Sequence, residues 1–119
     1  MKLEIIQTER AAIADIKSDC IIISDVQDAL DLMADCDYKG ARSIIICKEN
    51  ITPDFFDLKT GIAGEILQKF STYNVRLAIV GDFSEYDSKS LKDFIFESNK
   101  AGKILFLPER EQAIESLIV

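Results

Sequence analysis

A chain of 119 residues with 48% hydrophobic and 29% charged side chains holds enough polypeptide for one core without metal or disulfide support, and too little for a two-domain enzyme. Its 14 Lys and Arg against 21 Asp and Glu leave a formal charge of −7, which opposes the counterion release that drives binding to nucleic acid or an anionic membrane. The lack of histidine removes imidazole as base, proton shuttle or ligand, and with it histidine-dependent triads and nearly all catalytic zinc sites.

Leu3 to Gln7 and Arg10 to Ile16 read as two short strands around Thr8-Glu9, an antiparallel hairpin at a sheet edge. Cys20 to Ile23 either extends the second strand or leads into a helix. Ser24-Asp25-Val26-Gln27 has the form of a capping box, and Val26, Ala29, Leu30 and Met33 give the following helix a buried stripe. Gly40 stops that helix. Ser43 to Cys47 reads as a continuous apolar run, the pattern of a central strand covered on both faces.

Thr52-Pro53 places a capping hydroxyl before a favourable first helical residue, so Pro53 to Phe56 is a short turn of helix. A longer helix from about Thr60 to Tyr73 carries Ile62, Ala63, Ile66, Leu67 and Phe70 on one face. Arg76 to Val80 is the next buried strand, ended by Gly81-Asp82. Ser88 or Ser90 caps a helix running to about Asn99, with Leu91, Phe94 and Ile95 inward, and Gly102 ends it. Lys103 to Leu107 is the last strand, and Pro108 opens a terminal helix carrying Ala113, Ile114 and Leu117. The order β-β-α-β-α-β-α-β-α over 1–119 implies a single α/β domain. Its mixed sheet has about five strands, the central ones parallel and joined by right-handed crossovers.

Cys20, Cys36 and Cys47 are odd in number and too far apart for a metal knuckle, so they are expected as free thiols, with Cys47 a small core residue. Glu4 directly follows Met1-Lys2-Leu3, and no apolar run approaches a signal core or membrane span. The expected setting is the cytoplasm, with no membrane partner. Asp57 and Asp82 are the carboxylates that a general acid-base pair or a divalent ion would use. Loop carboxylates are mostly solvated, and no catalytic residue, metal or cofactor is expected.

In an open α/β sheet, ligands and partners meet the loops beyond the carboxyl ends of the strands. Two such loops are rich in polar residues and are expected side by side. One holds Asp57, Lys59, Thr60, Gly61, Gly64 and Glu65; the other holds Asp82, Ser84, Lys89 and Ser90. Thr60 to Glu65 opens a helix with free N–H groups and two glycines, which suits an approaching chain or an anion. The same residues also have a plain structural reading. Thr60 caps the helix, Gly61 and Gly64 permit tight packing on the sheet, and Glu65 complements the dipole. Gly81-Asp82-Phe83-Ser84 lacks the phosphate-loop pattern, which disfavours a nucleotide hydrolase. Glu97-Ser98-Asn99 reads as capping and surface.

Phe55 to Phe70, Ala78 to Ser84 and Ser90 to Asn99 resemble a small bacterial family defined as a domain of unknown function, over nearly the whole chain. That resemblance implies no activity, cofactor or catalytic residue. The order of elements is also similar to that of STAS domains, the sulfate-transporter and anti-sigma-factor-antagonist modules, whose Asp-Ser-Ser-Gly-like segment opens a helix after the third strand. Thr60-Gly61 matches the final Ser-Gly, and Leu107 to Leu117 resembles the usual last helix. In antagonists a partner kinase phosphorylates the matched serine and the charge breaks the complex, so the resemblance implies Thr60 as a candidate phosphorylation site. Leu58 and Lys59 stand where that family has Asp and Ser, with Asp57 displaced by one position. The expectation is a non-enzymatic interaction module whose protein partner meets these two loops. The alternative is a small-ligand or anion-binding domain, or weak enzyme, using the same loops. A homodimer that pairs the N-terminal edge strand or packs an exposed helix face is a third.

Overall fold

The computed structural model describes residues 1–118. Nine regular elements follow one another: β1 (Lys2–Gln7), β2 (Ala12–Lys17), α1 (Val26–Tyr38), β3 (Ser43–Cys47), α2 (Ile62–Thr72), β4 (Arg76–Val80), α3 (Lys89–Ala101), β5 (Ile104–Leu107) and α4 (Arg110–Leu117). The expected mixed α/β sheet is present. Its strands lie in the order β1-β2-β3-β4-β5, with β1 antiparallel to β2 and every other neighbour parallel.

Because each crossover steps the same way along the sheet, right-handed connections put α1, α2 and α3 on one face. There Ala29, Leu32, Met33, Ile66, Phe70 and Leu91 meet Ile44, Ile46, Leu77, Ile79 and Phe106. The opposite face of the same strands is left to α4, whose Ala113 and Leu117 pack on Ile13, Ile45, Ala78 and Leu105. Ile44, Ile45 and Ile46 are all buried, as a strand covered on both sides requires.

Several ends form where the residues direct. Thr52 accepts from the Asp54 N–H at 3.4 Å ahead of a 3-10 turn over Pro53–Phe56, and Ser88 accepts from the Leu91 N–H at 3.2 Å. Gly40 (φ 87°) and Gly102 (φ 83°) take the left-handed conformation that terminates a helix. Other ends differ. The cap of α1 is Asp25, not Ser24: Asp25 Oδ1 accepts from the Asp28 N–H and Asp28 Oδ2 from the Ser24 N–H, each at 2.9 Å. The hairpin turn extends to Ala11, because Thr8 N–H donates to Ala11 O at 2.9 Å. Ile23 makes only an isolated bridge to Ile51.

Ser98 and Asn99 are not simply capping and surface. Ser98 is buried and donates to Ile104 O at 2.6 Å. Asn99 accepts from Phe106 N–H at 2.6 Å and donates to Phe106 O at 3.2 Å, so one side chain occupies both backbone groups of Phe106 on the outer edge of β5. Asn99→Ala therefore leaves a buried N–H and C=O without partners and should lower stability by about 2 kcal/mol, measured by urea unfolding of the variant against the wild type.

Candidate functional site

Between β3 and α2 the chain makes three 3-10 turns, over Lys48–Asn50, Pro53–Phe56 and Leu58–Thr60. Asn50 organises the first. Its buried side chain donates to Ser18 O and Cys20 O, each at 2.8 Å, and accepts from the Cys47 N–H at 3.3 Å. Asp57 opens the third turn by accepting from the Lys59 N–H at 3.2 Å. The Thr60 hydroxyl lies 2.8 Å from Asp54 O and 2.9 Å from Asp57 O and is 3.3 Å from the Ile62 N–H.

Two structural readings of this segment are corrected. The residue capping α2 is Gly61, in the left-handed region at φ 77°; Thr60, one position earlier, still accepts from the Ile62 N–H at 3.3 Å while its hydrogen serves the preceding turn. Nor does Gly64 permit packing on the sheet: a Cβ placed there or on Gly61 would meet no atom within 4 Å other than its chain neighbours and its own helix backbone. Asp57, Lys59, Thr60, Gly61, Gly64 and Glu65 are all exposed, and Glu65 sits in the first turn as the dipole favours.

The second loop is held from below by Lys48, whose side chain is only 14% exposed. Its ammonium pairs with the Glu85 carboxylate, donates to Asp82 O at 2.9 Å and lies 4.9 Å from the centre of the Tyr86 ring. Gly81 makes room for it, since a Cβ at 81 would stand 2.7 Å from Lys48 Cβ. Asp82 Oδ1 accepts from the Ser84 hydroxyl at 2.6 Å and the Ser84 N–H at 2.9 Å, which holds the carboxyl below its ordinary range. Lys89 pairs with Asp93 at 3.0 Å on open surface, a contact worth little in water. Ser90 is exposed in the first turn of α3.

The two loops do adjoin, through rings rather than polar groups. Phe56 stacks on Tyr86 at 5.1 Å and approaches Phe83 at 6.0 Å, and Phe83 meets Phe106 edge-on at 5.4 Å. Asp57 and Asp82 each serve their own turn. Among the described residues no cluster of three or more His, Cys, Asp or Glu could hold a metal. The sequence reading missed Lys48, Phe56 and Asn50. The recurring aromatics at 55, 56, 83 and 86 were the available sign that these segments meet. Beside Lys48, a cleft of about 530 Å³ opens between Ile21, Pro53, Phe56 and Tyr86.

The cysteines are free. Cys47 is exposed rather than core, and its thiol pKa is raised by the partial burial it retains and by Glu49 and Asp15. Cys36, on the inner face of α1, is pushed up to about 12 by burial, which keeps it an unreactive thiol.

A family profile, domain of unknown function DUF4180, matches residues 8–117. The chain belongs to this family. No curated protein matches the DUF4180 chain. Among solved structures, a Thermotoga maritima protein proposed to be an anti-sigma factor antagonist is similar over 95% of this chain and 92% of its own, at 11% identity and a TM-score of 0.47. A likeness of that degree says nothing of partner or mechanism.

Two glycines of the DUF4180 domain should answer oppositely to one added methyl group. Gly64→Ala enters open space inside a helix and should stabilise by about 0.5–1 kcal/mol. Gly81→Ala drives into the Lys48 stem and should cost about 1–3 kcal/mol. Chemical denaturation of both variants measures the split; equal shifts would contradict the placement of Lys48 against Gly81.

Proposed function

We propose that this domain is a non-enzymatic protein-interaction module whose partner docks on the open start of α2, from Asp57 to Glu65, and on the loop from Asp82 to Ser90. The supporting observation is the exposure of all ten candidate residues, Asp57, Lys59, Thr60, Gly61, Gly64, Glu65, Asp82, Ser84, Lys89 and Ser90. None of them lines any of the three principal clefts. An exposed surface outside those clefts, with room for a Cβ at both of its glycines, admits another backbone closely and does not enclose a small molecule. Strand order supports the same reading. Doubly wound sheets gather ligands in the crevice where the order reverses, and here the order never reverses.

The anion-binding alternative has less support. The cation beside the adjacent cleft, Lys48, already meets the Glu85 carboxylate, so an incoming anion would have to displace it. Thr60 is the regulatory hydroxyl of the proposed surface. A phosphate there would add nearly two negative charges beside Lys59, and also beside Asp57 and Glu65.

Immobilised wild-type domain, exposed to lysate of its source organism and read by quantitative mass spectrometry, should retain a partner. Gly64→Arg and Thr60→Glu should lose it, and Glu115→Arg, on the exposed side of α4, should keep it. Recovery of no such partner, or equal retention by all the variants, would refute the docking surface.

A further inference from the structure

The two edges of the sheet are finished differently. The outer edge of β5 is covered by the Ser98 and Asn99 side chains. The outer edge of β1 is open: Thr8 N–H donates inward to Ala11 O, which sets the alternation so that Leu3 and Ile5 direct their N–H and C=O groups outward. Among the described residues neither group has a partner there. Ile5 and Met1 are also large apolar side chains left 37% and 66% exposed. An edge of this kind is a template for another strand.

We infer that β1 pairs antiparallel with β1 of a second copy of this chain, about a two-fold axis at Leu3, to form one continuous sheet of two domains. The choice of occupant and register rests on charge and side-chain facing. Lys2 and Glu4 share the α4 face of the sheet, whereas Leu3 and Ile5 share the α1 face, since Leu3 lies opposite Ile16 and Glu4 opposite Asp15. A two-fold axis perpendicular to the sheet keeps both faces continuous.

With the axis at Leu3, Lys2 lies opposite the partner's Glu4, and Met1 lies opposite the partner's Ile5. Those charged pairs fall at the closer, non-hydrogen-bonded positions, while Leu3 meets its own copy at a hydrogen-bonded one. Moving the axis to Glu4 sets carboxylate against carboxylate, and moving it to Lys2 sets ammonium against ammonium. An axis at Ile5 places Glu4 opposite Ile6. Only the Leu3 register satisfies both signs of charge. In the single chain Glu4 is already shared between Lys2 at 3.0 Å and Lys17 at 3.5 Å, so one carboxylate serves two cations. Pairing brings a second carboxylate to the same strip.

Sedimentation equilibrium of the full chain, up to about 100 µM, should show a species of twice 13.4 kDa. In the Lys2→Glu variant every facing charged pair becomes carboxylate against carboxylate, and in Glu4→Lys every such pair becomes ammonium against ammonium. Each variant alone should therefore weaken self-association about tenfold or more. An equimolar mixture of the two restores opposite charges at every facing position and should recover the dimer, with circular dichroism confirming that both variants are folded. A wild-type chain that stays monomeric overturns the inference, as does undiminished dimerisation of either variant or a mixture no heavier than its components.

Discussion

A parallel strand cannot leave either face in water, and the arrangement of this chain follows from meeting that requirement with four helices. The stepwise order β2-β3-β4-β5 sends three right-handed crossovers to one side. Only α4 remains for the other. Eight residues of helix span about 12 Å, enough to cover Ile45, Ala78 and Leu105 but not the whole sheet. At its margin stands Asp15, a carboxylate with a side chain only 3% exposed, which Arg110 answers with Nη2 and Nε contacts of 2.5 and 2.7 Å. Arg110 is thereby held more firmly protonated, first through that hydrogen bond. Beyond the reach of α4, the same face becomes the charged strip of Lys2, Glu4 and Lys17.

At the carboxyl ends of the strands a different shortage operates. The link from β3 to α2 contains no long helix or strand, so it is ordered by what it buries. Phe55 and Phe56 turn inward to meet Phe83, Tyr86 and Phe106. This aromatic filling uses the inward side of both loops and leaves Asp57, Thr60, Ser84 and their neighbours facing solvent. Lys48 is the exception, carried beneath the second loop by a strand end and a missing Cβ at Gly81. Its side chain is sheltered while that of Glu85 stays 58% exposed, so the cation, costly to bury unanswered, is met by a carboxylate that keeps its contact with water. Loop position and cation position are therefore set together.

The features legible in the sequence are those whose cause is local. Ser88 and Thr52 cap because their hydroxyls reach N–H groups two or three residues away, and the isoleucine run of β3 needs no context to read as buried. Asp25 displaced Ser24 by one residue; both are good caps, and the phase of α1 is chosen by burying Ala29, Leu32 and Met33. Asn50 and Asn99 act on backbone groups that only the folded chain brings near, and no propensity marks them. Cys47 follows three buried isoleucines but lies at the end of the ladder, outside the apolar cluster under α4. The candidate loops were legible as polar and adjacent; that rings join them was not, since Phe56 and Phe83 look in sequence like ordinary core residues.

Gly64 is the residue whose presence folding explains least. A glycine inside a helix costs about 0.5–1 kcal/mol relative to alanine, and close packing within the molecule is the usual reason to accept that cost. Here, apart from the backbone of its own helix and its chain neighbours, no atom stands within 4 Å of the place a Cβ would occupy. Any benefit of its small size must then arise outside the molecule, where a helix surface without a side chain lets a second backbone approach. The charges around it set the character of such a contact. Asp57 and Glu65 outnumber Lys59 on this stretch, in a chain of net charge −7, so a basic surface would be drawn to it and an acidic one repelled. A phosphate on Thr60 would strengthen that selection at its centre.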